Sequence, residues 1–301
     1  MWATGTQVRF SFKGSDCVIV VTDQLQYGKD HNYLDIVVDG RYRHLKLANS
    51  HNEISIANDL TGNVHDVIIS KSTEAGVGYV CFEGVYCKKL LSSPPLPTKK
   101  IEFFGDSITS GMGVDTTVTK CHKGEWYDQT NGYITYAAIT ARTLHAQAQI
   151  TSASGIGLIH SCCKMDIVMP EVYDKVSIRD NKILWDFSKF QPDIVCICLG
   201  QNDGLQDSTM FCTAYVQFIA KLRKQYINSN FLLLSSPMAD SNLTAQTKKY
   251  LPAIAKASGD QKLSYYIFSR QFLQGCDSHP SASEHELVAA ELVEYIILKG
   301  L

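Results

Sequence analysis

The hydrophobic patterning of the chain changes at residues 90–100, LLSSPPLPTKK, and this change constrains the fold more than any other feature. Before this segment, short runs alternate apolar and polar residues; after it, continuous apolar runs alternate with helical stretches. The segment itself is rich in proline and serine, as is typical of a linker. We therefore predict an N-terminal domain over residues 1–90, a linker over 91–100 and a second domain over 101–301.

The first pattern predicts a β-sandwich of jelly-roll-like type. In VRFSFK, the apolar residues Val8, Phe10 and Phe12 fall on one face, because successive side chains of a strand point to opposite sides. Several strand-like runs follow at short intervals. Asp39-Gly40 between two of them is a hairpin signal, since glycine accepts positive φ. Many short strands with no helical stretch favour a sandwich.

The second pattern is typical of an α/β domain. Runs such as DIVCICLG (193–200) are continuously apolar, which indicates strands buried on both faces. The stretches between them have helical periodicity, and one stripe combines Tyr215, Phe218, Ile219 and Leu222. This alternation predicts a parallel sheet covered by helices on both faces, and in such sheets ligands bind beyond the carboxyl ends of the strands.

Composition and charge narrow the classes of function. Hydrophobic residues make up 45% of the 301 residues and charged residues 19%, which predicts a packed core. The net charge of −2 lacks the basic excess of nucleic-acid-binding proteins, so we expect no nucleic-acid partner. No apolar run is long enough to span a bilayer, and the N-terminus lacks the apolar core of a signal peptide.

The chain has ten cysteines, and none lies in a CxxC pair or a Cys/His zinc pattern. Cys196 and Cys198 lie within a strand-like run, as is typical of small buried hydrophobes. Free thiols in a reducing compartment are the simplest interpretation, while Cys81 and Cys87 are candidates for a bridge in an oxidising one.

Four polar segments follow strands or precede the last helix: GDS (105–107), SGIG (154–157), GQND (200–203) and DSHP (277–280). Strand ends of a parallel sheet meet at one edge, so we expect these segments to converge. They carry what a serine hydrolase needs: a hydroxyl nucleophile, an imidazole that takes its proton, and amide donors for an oxyanion. Each alone is typical of a turn or cap, and only their joint placement indicates catalysis.

These segments, in this order, resemble the four blocks of the SGNH, or GDSL-type, hydrolase superfamily, from about residue 100 to the C-terminus. A β-sandwich ahead of them, with IEFFGDSIT, YAAITAR and SGIGL, further resembles carbohydrate esterase family 2, whose members deacetylate plant polysaccharides. The resemblance implies a three-layer α/β SGNH domain with a parallel, flavodoxin-like sheet, and neither a cofactor nor a metal.

The resemblance also implies roles for the residues at the matching positions. Ser107 would be the nucleophile, and His279 the general base and then the general acid. The oxyanion would be bound by the backbone N–H groups of Ser107 and Gly155 and by the side-chain amide of Asn202.

Three aspartates have different expected roles. Asp106 and Asp203 are expected to support their loops by hydrogen bonds. Asp277 lies two residues before His279, whereas most SGNH enzymes have an aspartate three residues before the histidine. In an extended segment, residues two apart share a face, so the Asp277 carboxylate would reach the imidazole and complete a triad. The alternative is a backbone carbonyl that orients the imidazole, as a Ser–His dyad in some family 2 members implies.

The function implied is that of a serine esterase that removes acetyl groups from an acetylated oligo- or polysaccharide through an acyl-enzyme on Ser107. The alternatives are a deacylase of another ester, such as a lipid or acetylated peptidoglycan, and an inactive carbohydrate-binding protein. Trp126, between the nucleophile and the first helix, is the candidate for substrate contact, since sugars stack on ring faces.

Two further expectations concern the compartment and the last helix. The family resemblance favours an exported protein, whereas the ten cysteines and the missing signal favour a reducing compartment. At the last helix, Ser283 and Glu286 are predicted to form a capping box. His285, in the first turn of that helix, is expected to be structural.

Overall fold

The computed structural model describes residues 1–179 and 182–301, and its first six strands form one antiparallel sheet. The strands are paired in the order β3-β2-β5-β1-β4, with β6 on the other edge of β1. Their bounds are β1 Gln7–Asp23, β2 Tyr33–Val38, β3 Arg41–Lys46, β4 His51–Ala57, β5 His65–Lys71 and β6 Val80–Leu91.

Strand β1 is long enough to pair with β5 near its start and with β4 near its end. Residues 7–12 of β1 pair with β5, residues 17–22 pair with β4, and β6 follows its other edge. The sheet therefore curls around a core that includes Phe10, Phe12, Ile19, Val21, Leu34, Ile36, Val67 and Ile69. The antiparallel, jelly-roll-like character predicted for the N-terminal domain is confirmed. So is the β2–β3 hairpin, in which Asp39 and Gly40 both have positive φ.

The following five strands form a parallel sheet in the order β11-β10-β9-β7-β8. The strands are β7 Lys100–Gly105, β8 Gln147–Ser152, β9 Ile194–Cys198, β10 Asn230–Leu234 and β11 Leu263–Tyr266. The α-helices are α1 Ser107–Ser110, α2 Tyr136–Thr143, α3 Met169–Val172, α4 Ser208–Gln225, α5 Ser241–Ser258 and α6 Ala282–Lys299. Short 3₁₀ turns cover Ala75–Val77, Phe187–Lys189 and Cys276–Ser278.

Helices cover both faces of the parallel sheet, which confirms the predicted α/β architecture. On one face, α2 and α6 pack against strand residues such as Ile101 and Phe103. On the other, α4 and α5 pack against residues such as Phe104 and Val195. All four residues of the predicted α4 stripe are buried, and burial of each such side chain contributes about 1.5–3 kcal/mol. None of the helices in the described part of the chain is long and apolar enough to cross a membrane.

The strand order creates a crevice at the carboxyl end of β7. The first strand of the sheet, β7, has the second strand β8 on one side and the third strand β9 on the other. The chain therefore leaves neighbouring strands in opposite directions, which opens a crevice where ligands bind in folds of this type. Ser107 and Asn202 follow the two strands that flank this crevice.

The two domains are joined by buried and partly buried polar contacts. In the second domain, Asp128 accepts hydrogen bonds from the Tyr33 hydroxyl (2.8 Å) and the Lys46 ammonium group (2.7 Å) of the curled sheet. The Asn131 amide donates to the Tyr42 hydroxyl at 2.6 Å. We expect the two domains to move together, because their separation would break these hydrogen bonds.

The cap of α6 differs from the prediction. The capping box is Ser281 with Glu284, two residues before the predicted pair Ser283 and Glu286. The Ser281 hydroxyl accepts from the Glu284 N–H, and the Glu284 carboxylate accepts from the Ser281 N–H. Glu284 is buried because it also accepts from the N–H groups of Leu273 and Gln274, whereas Ser283 and Glu286 are exposed.

The expectation of free thiols is wrong for four of the cysteines. Cys121 and Cys276 form a disulfide with a Cα–Cα distance of 5.2 Å, and the neighbours Cys162 and Cys163 form another. The other six cysteines are free, including Cys81 and Cys87, which were candidates for a bridge. Sequence spacing did not indicate the first disulfide because 155 residues separate its cysteines, and the fold alone brings them together.

Candidate active site

The serine of the GDS segment lies at the start of α1, directly after β7. Asp106 caps this helix, with its Oδ1 accepting from the Ile108 N–H at 3.0 Å. Gly105 has to be glycine, because a Cβ atom there would lie 2.0 Å from the Thr109 hydroxyl. A strand that turns sharply into a helix therefore presents Ser107 at the sheet edge, with 7% of its surface exposed.

His279 lies against this serine. Its Nε2 is 2.8 Å from the Ser107 Oγ, and its Nδ1 is 3.0 Å from the carbonyl oxygen of Asp277. The second contact requires a proton on Nδ1, so the neutral imidazole has Nε2 free to accept from the serine hydroxyl. Burial lowers the pKa of His279, although the Asp277 carbonyl opposes this shift. The imidazole is therefore neutral, as a general base has to be.

The carboxylate of Asp277 lies away from the imidazole. It is half exposed, and its Oδ1 lies 3.6 Å from Nδ1 of His122. The triad prediction assumed an extended segment, but Asp277 and Ser278 have φ values of 52° and 58°, in the left-handed region. This turn brings the carbonyl oxygen to His279 and the side chain toward solvent, which corresponds to the backbone alternative.

The turn that carries Asp277 is fixed to the rest of the site. The Cys276 N–H donates to the carbonyl oxygen of Gly113 at 2.9 Å, and the Gly275 N–H donates to that of His279 at 2.7 Å. The disulfide from Cys276 to Cys121 adds a covalent link to the segment that follows the nucleophile. Two successive non-glycine residues with positive φ are unfavourable, so such anchors are needed to maintain the turn.

Two backbone N–H groups in residues that line the cleft make no hydrogen bond to the described part of the protein. Gly155, with φ of +86°, lines the same cleft as Ser107. Among the described residues, no protein acceptor receives a hydrogen bond from the N–H of Ser107 or of Gly155. Two unpaired donors at the edge of a cleft can bind an oxyanion.

Asn202 is close to both of these segments. Its Nδ2 donates to the carbonyl oxygen of Ile156 at 2.9 Å and to Oδ2 of Asp106 at 3.3 Å. Burial raises the pKa of Asp106 to about 7, with the neighbouring Asp203 contributing in the same direction. The amide of Asn202 therefore connects three of the four predicted segments.

Asp203 organises the loop that contains Gly155. Its carboxylate accepts from the N–H groups of Leu158, Ile159 and His160 at 2.7–3.1 Å. Burial raises its pKa, while these three donors oppose the shift. The contacts match the supporting role expected of Asp203, as the helix cap does for Asp106. His285, fully buried, accepts from the Tyr136 N–H, a structural contact.

A cavity of about 1030 Å³ opens above Ser107 and His279, and both domains line it. Trp126, 41% exposed, lies on its wall and packs edge-on against Tyr127. The lining residues that sequence reasoning did not single out include Trp2, Gln24, Tyr27, Asp30, Arg179 and the Cys162–Cys163 pair. They belong to no recognisable motif, and only the packing of the domains brings them here. Over residues 1–179 and 182–301, no three His, Cys, Asp or Glu side chains converge as metal ligands.

Comparison with known protein families matches nearly the whole chain. Residues 1–95 match the carbohydrate esterase 2 N-terminal family, and residues 103–285 match the GDSL-like lipase/acylhydrolase family.

Characterised relatives agree with these families. The chain is 30% identical over 97% of its length to the cellulase/esterase CelE of Acetivibrio thermocellus, and spans 37% of that protein. It is 24% identical over 90% of its length to an acetylxylan esterase/glucomannan deacetylase of Cellvibrio japonicus, and covers 78% of that protein.

Solved structures show the same architecture. A family two carbohydrate esterase from Clostridium thermocellum, in complex with cellohexaose, superposes with a TM-score of 0.90 and 30% identity, covering 99% of this chain and 93% of that chain. A carbohydrate esterase family 2 enzyme from Corynascus thermopiles (Myceliophthora fergusii) superposes with a TM-score of 0.84 and 25% identity. This match covers 98% of this chain and 94% of that chain.

Proposed function

Because the chain belongs to the GDSL-like lipase/acylhydrolase family and carries the N-terminal domain of carbohydrate esterase family 2, we propose that it is a serine esterase that removes acetyl groups from carbohydrate. The observation that carries this proposal is the 2.8 Å contact between Nε2 of His279 and the Ser107 hydroxyl, with the other ring nitrogen on a carbonyl oxygen. The two relatives named acetylxylan esterase/glucomannan deacetylase support acetyl as the acyl group.

In the first step, Ser107 attacks the ester carbonyl carbon while His279 takes its hydroxyl proton on Nε2. The resulting imidazolium has two N–H groups. The one on Nδ1 still donates to the Asp277 carbonyl oxygen, which stabilises the developing positive charge. In this dyad the carbonyl oxygen replaces the carboxylate of a triad.

The tetrahedral intermediate carries its negative charge on the former carbonyl oxygen. We assign the N–H groups of Ser107 and Gly155 as donors to it, because both lack protein acceptors among the described residues. Asn202 is the third donor. Its bond to Asp106, at 3.3 Å, is the longer of the two it makes and is the one we expect to yield to the oxyanion.

Collapse of the intermediate breaks the bond to the sugar oxygen, which takes the proton from Nε2 of His279. The acetyl group then remains on Ser107 as an ester. Water attacks this ester with His279 again as the base, and acetate leaves as the proton returns to the serine. His279 accepts and returns the proton in every step of this reaction.

The proposed substrate is an acetylated oligo- or polysaccharide that lies in the cleft between the domains. The cleft has a volume of about 1030 Å³, and Trp126 provides an exposed aromatic face on its wall. In this proposal, the N-terminal domain (1–90) forms one wall, residues 91–100 connect the domains, and residues 101–301 carry out the hydrolysis.

The experiment compares wild type with Ser107→Ala on 4-nitrophenyl acetate and on acetylated xylo-oligosaccharide, with acetate as the readout. We expect the variant to lose at least about 10³-fold in turnover on both substrates. Ser110→Ala is the matched control, because Ser110 lies in the same helix but bonds to Ser152 away from His279.

The outcomes separate the alternatives. Hydrolysis of the aryl ester without release from the oligosaccharide would point to a deacylase of another ester. Oligosaccharide binding by a wild type that releases no acetate would indicate an inactive binding protein. Equal activity of Ser107→Ala and wild type would rule out Ser107 as the nucleophile.

A further inference from the structure

The backbone of Ser154, whose carbonyl shares a peptide with the Gly155 N–H, is held at its N–H and at its carbonyl oxygen by residues outside the four motifs. The Ser154 N–H donates to Oε2 of Glu74 at 2.6 Å, and the Ser154 carbonyl oxygen accepts from Nη2 of Arg179 at 3.0 Å. The same Arg179 nitrogen donates to Oε1 of Glu74 at 3.1 Å. We infer that Glu74 and Arg179 are positioning residues for the oxyanion hole, an inference that rests on the proposed function.

The geometry of the peptide bond connects these contacts to the oxyanion donor. The Ser154 carbonyl and the Gly155 N–H belong to one planar trans peptide, so they point in opposite directions. A restraint on the carbonyl oxygen therefore sets the direction in which the N–H can donate. The restraint is needed because Gly155 has no Cβ to limit rotation of its peptide, and a flip would turn a carbonyl oxygen toward the developing anion.

Charge adds to this restraint. A guanidinium on the carbonyl oxygen makes a charge-assisted hydrogen bond and polarises the peptide, so the N–H at its other end becomes a better donor. Glu74 holds the guanidinium in place and is itself completely buried. The Arg179 side chain lines the cleft and is 30% exposed, so in this ion pair Arg179 faces the cleft and Glu74 lies in the protein interior.

Glu74 belongs to the N-terminal domain, in the turn that follows β5. The buried ammonium group of Lys71 anchors this turn by donating to the carbonyl oxygens of Thr73 (2.6 Å) and Glu74 (3.0 Å). The N-terminal domain thus contributes to the geometry of the reacting centre, besides forming a wall of the cleft. Loss of this contribution should lower the rate of the chemical step rather than the affinity for substrate.

The test measures kcat and KM of Arg179→Met, Arg179→Lys and Glu74→Gln on 4-nitrophenyl acetate, together with Tm. We expect Arg179→Met to lower kcat about 10- to 100-fold with KM within about threefold, because a misdirected donor loses part of what one donor contributes. Arg179→Lys and Glu74→Gln should fall between this variant and wild type. Arg223→Met is the matched control. Like Arg179, Arg223 forms a half-buried ion pair with an acidic residue, Asp260, but this pair lies outside the cleft.

A second readout separates positioning from stability. Methylboronic acid forms a tetrahedral, negatively charged adduct on a catalytic serine, so its inhibition constant should rise in Arg179→Met by the same factor as kcat/KM falls. A lower Tm with unchanged kcat and unchanged boronate inhibition would overturn the inference and leave Arg179 as a structural tie. If wild-type turnover instead survives in Ser107→Ala, the proposed function itself is wrong, and the inference is wrong with it.

Discussion

The imidazole of His279 is oriented by a backbone oxygen, so the Asp277 carboxylate should be dispensable. Asp277→Asn removes the charge and keeps a residue that tolerates positive φ. We expect kcat/KM of this variant on 4-nitrophenyl acetate to stay within a few-fold of wild type, whereas loss of a triad carboxylate costs about 10⁴-fold. A loss of that size would assign the orienting role to the side chain.

A companion variant tests the backbone at the same position. Asp277→Val places a β-branched residue where φ is 52°, a conformation that β-branched residues strongly disfavour. We expect this change to displace the carbonyl oxygen from His279 and to lower kcat by about tenfold or more. Similar activity of the Asn and Val variants would show that the turn does not depend on this residue.

The pH dependence should report His279. Only the neutral imidazole can take the serine proton, so activity is lost as pH falls through the pKa of His279 in the folded protein. Because burial lowers that pKa from its ordinary value of 6.5, the midpoint of the acid limb of kcat/KM should lie below 6.5.

Asp106 is a second group whose titration could affect the pH profile, because its pKa is raised to about 7 and it contacts Asn202. A variant that cannot titrate at this position is therefore the control. In Asp106→Asn, the limb that belongs to His279 should remain. A limb at pH 6.5 or above that persists in this variant would contradict the prediction.

Among the structural elements, we expect the turn at Cys276–Ser278 to depend on its disulfide. The link to Cys121 joins it to the segment between α1 and α2. We expect Cys121→Ser to lower kcat about tenfold, since His279 follows this turn directly, and to reduce the free energy of unfolding by about 2–5 kcal/mol.

Activity assays and thermal melts of Cys121→Ser check this expectation. They are run without a reductant, because a reductant would also open the Cys162–Cys163 disulfide in the cleft. Cys81→Ser is the control, because Cys81 is exposed and free in the other domain. Wild-type kcat in Cys121→Ser would mean that the hydrogen bonds of the turn are sufficient.

Periodicity largely predicted which segments are helices and which are strands, but it was less successful at predicting the residues at which they begin and end. The α4 stripe and the β2–β3 hairpin follow from local patterns of apolar residues and glycine. The α6 cap was misplaced because Ser281 and Ser283 both have a glutamate three residues later. The choice between them depends on Leu273 and Gln274, whose N–H groups require the Glu284 carboxylate. A distant backbone segment decided a local feature.

At the scale of the whole molecule, the domains should unfold as one unit. Asp128 of the second domain pairs with Tyr33 and Lys46 of the first, and Glu74 of the first pairs with Ser154 of the second, through buried or partly buried hydrogen bonds. We predict a single calorimetric transition with equal van't Hoff and calorimetric enthalpies.

A protease site inserted in the segment 92–98 tests this coupling directly. After cleavage, the two fragments should stay together in gel filtration and retain esterase activity, because the contacts do not depend on the connection. Uncleaved protein with the same insertion is the control. Two separate transitions, or dissociation with full activity of the C-terminal fragment, would show that the domains are independent.

The amino-acid sequence by itself determined the two classes of domain and the four segments that converge at the sheet edge. These features are local: periodicity defines strands and helices, and parallel strands bring their carboxyl ends together. The resemblance of these segments to the SGNH superfamily then gave expected roles to Ser107, Gly155, Asn202 and His279, and to Asp106 and Asp203 beside them.

Only the tertiary structure decided what orients these residues. The backbone acceptor of His279 depends on a left-handed turn, the Cys121–Cys276 bridge on two segments far apart in the chain, and the Glu74–Arg179 pair on domain packing. Such contacts arise where folded surfaces meet, and no spacing along the chain encodes them. The chemistry of the site is thus local in sequence, and its geometry is a property of the whole fold.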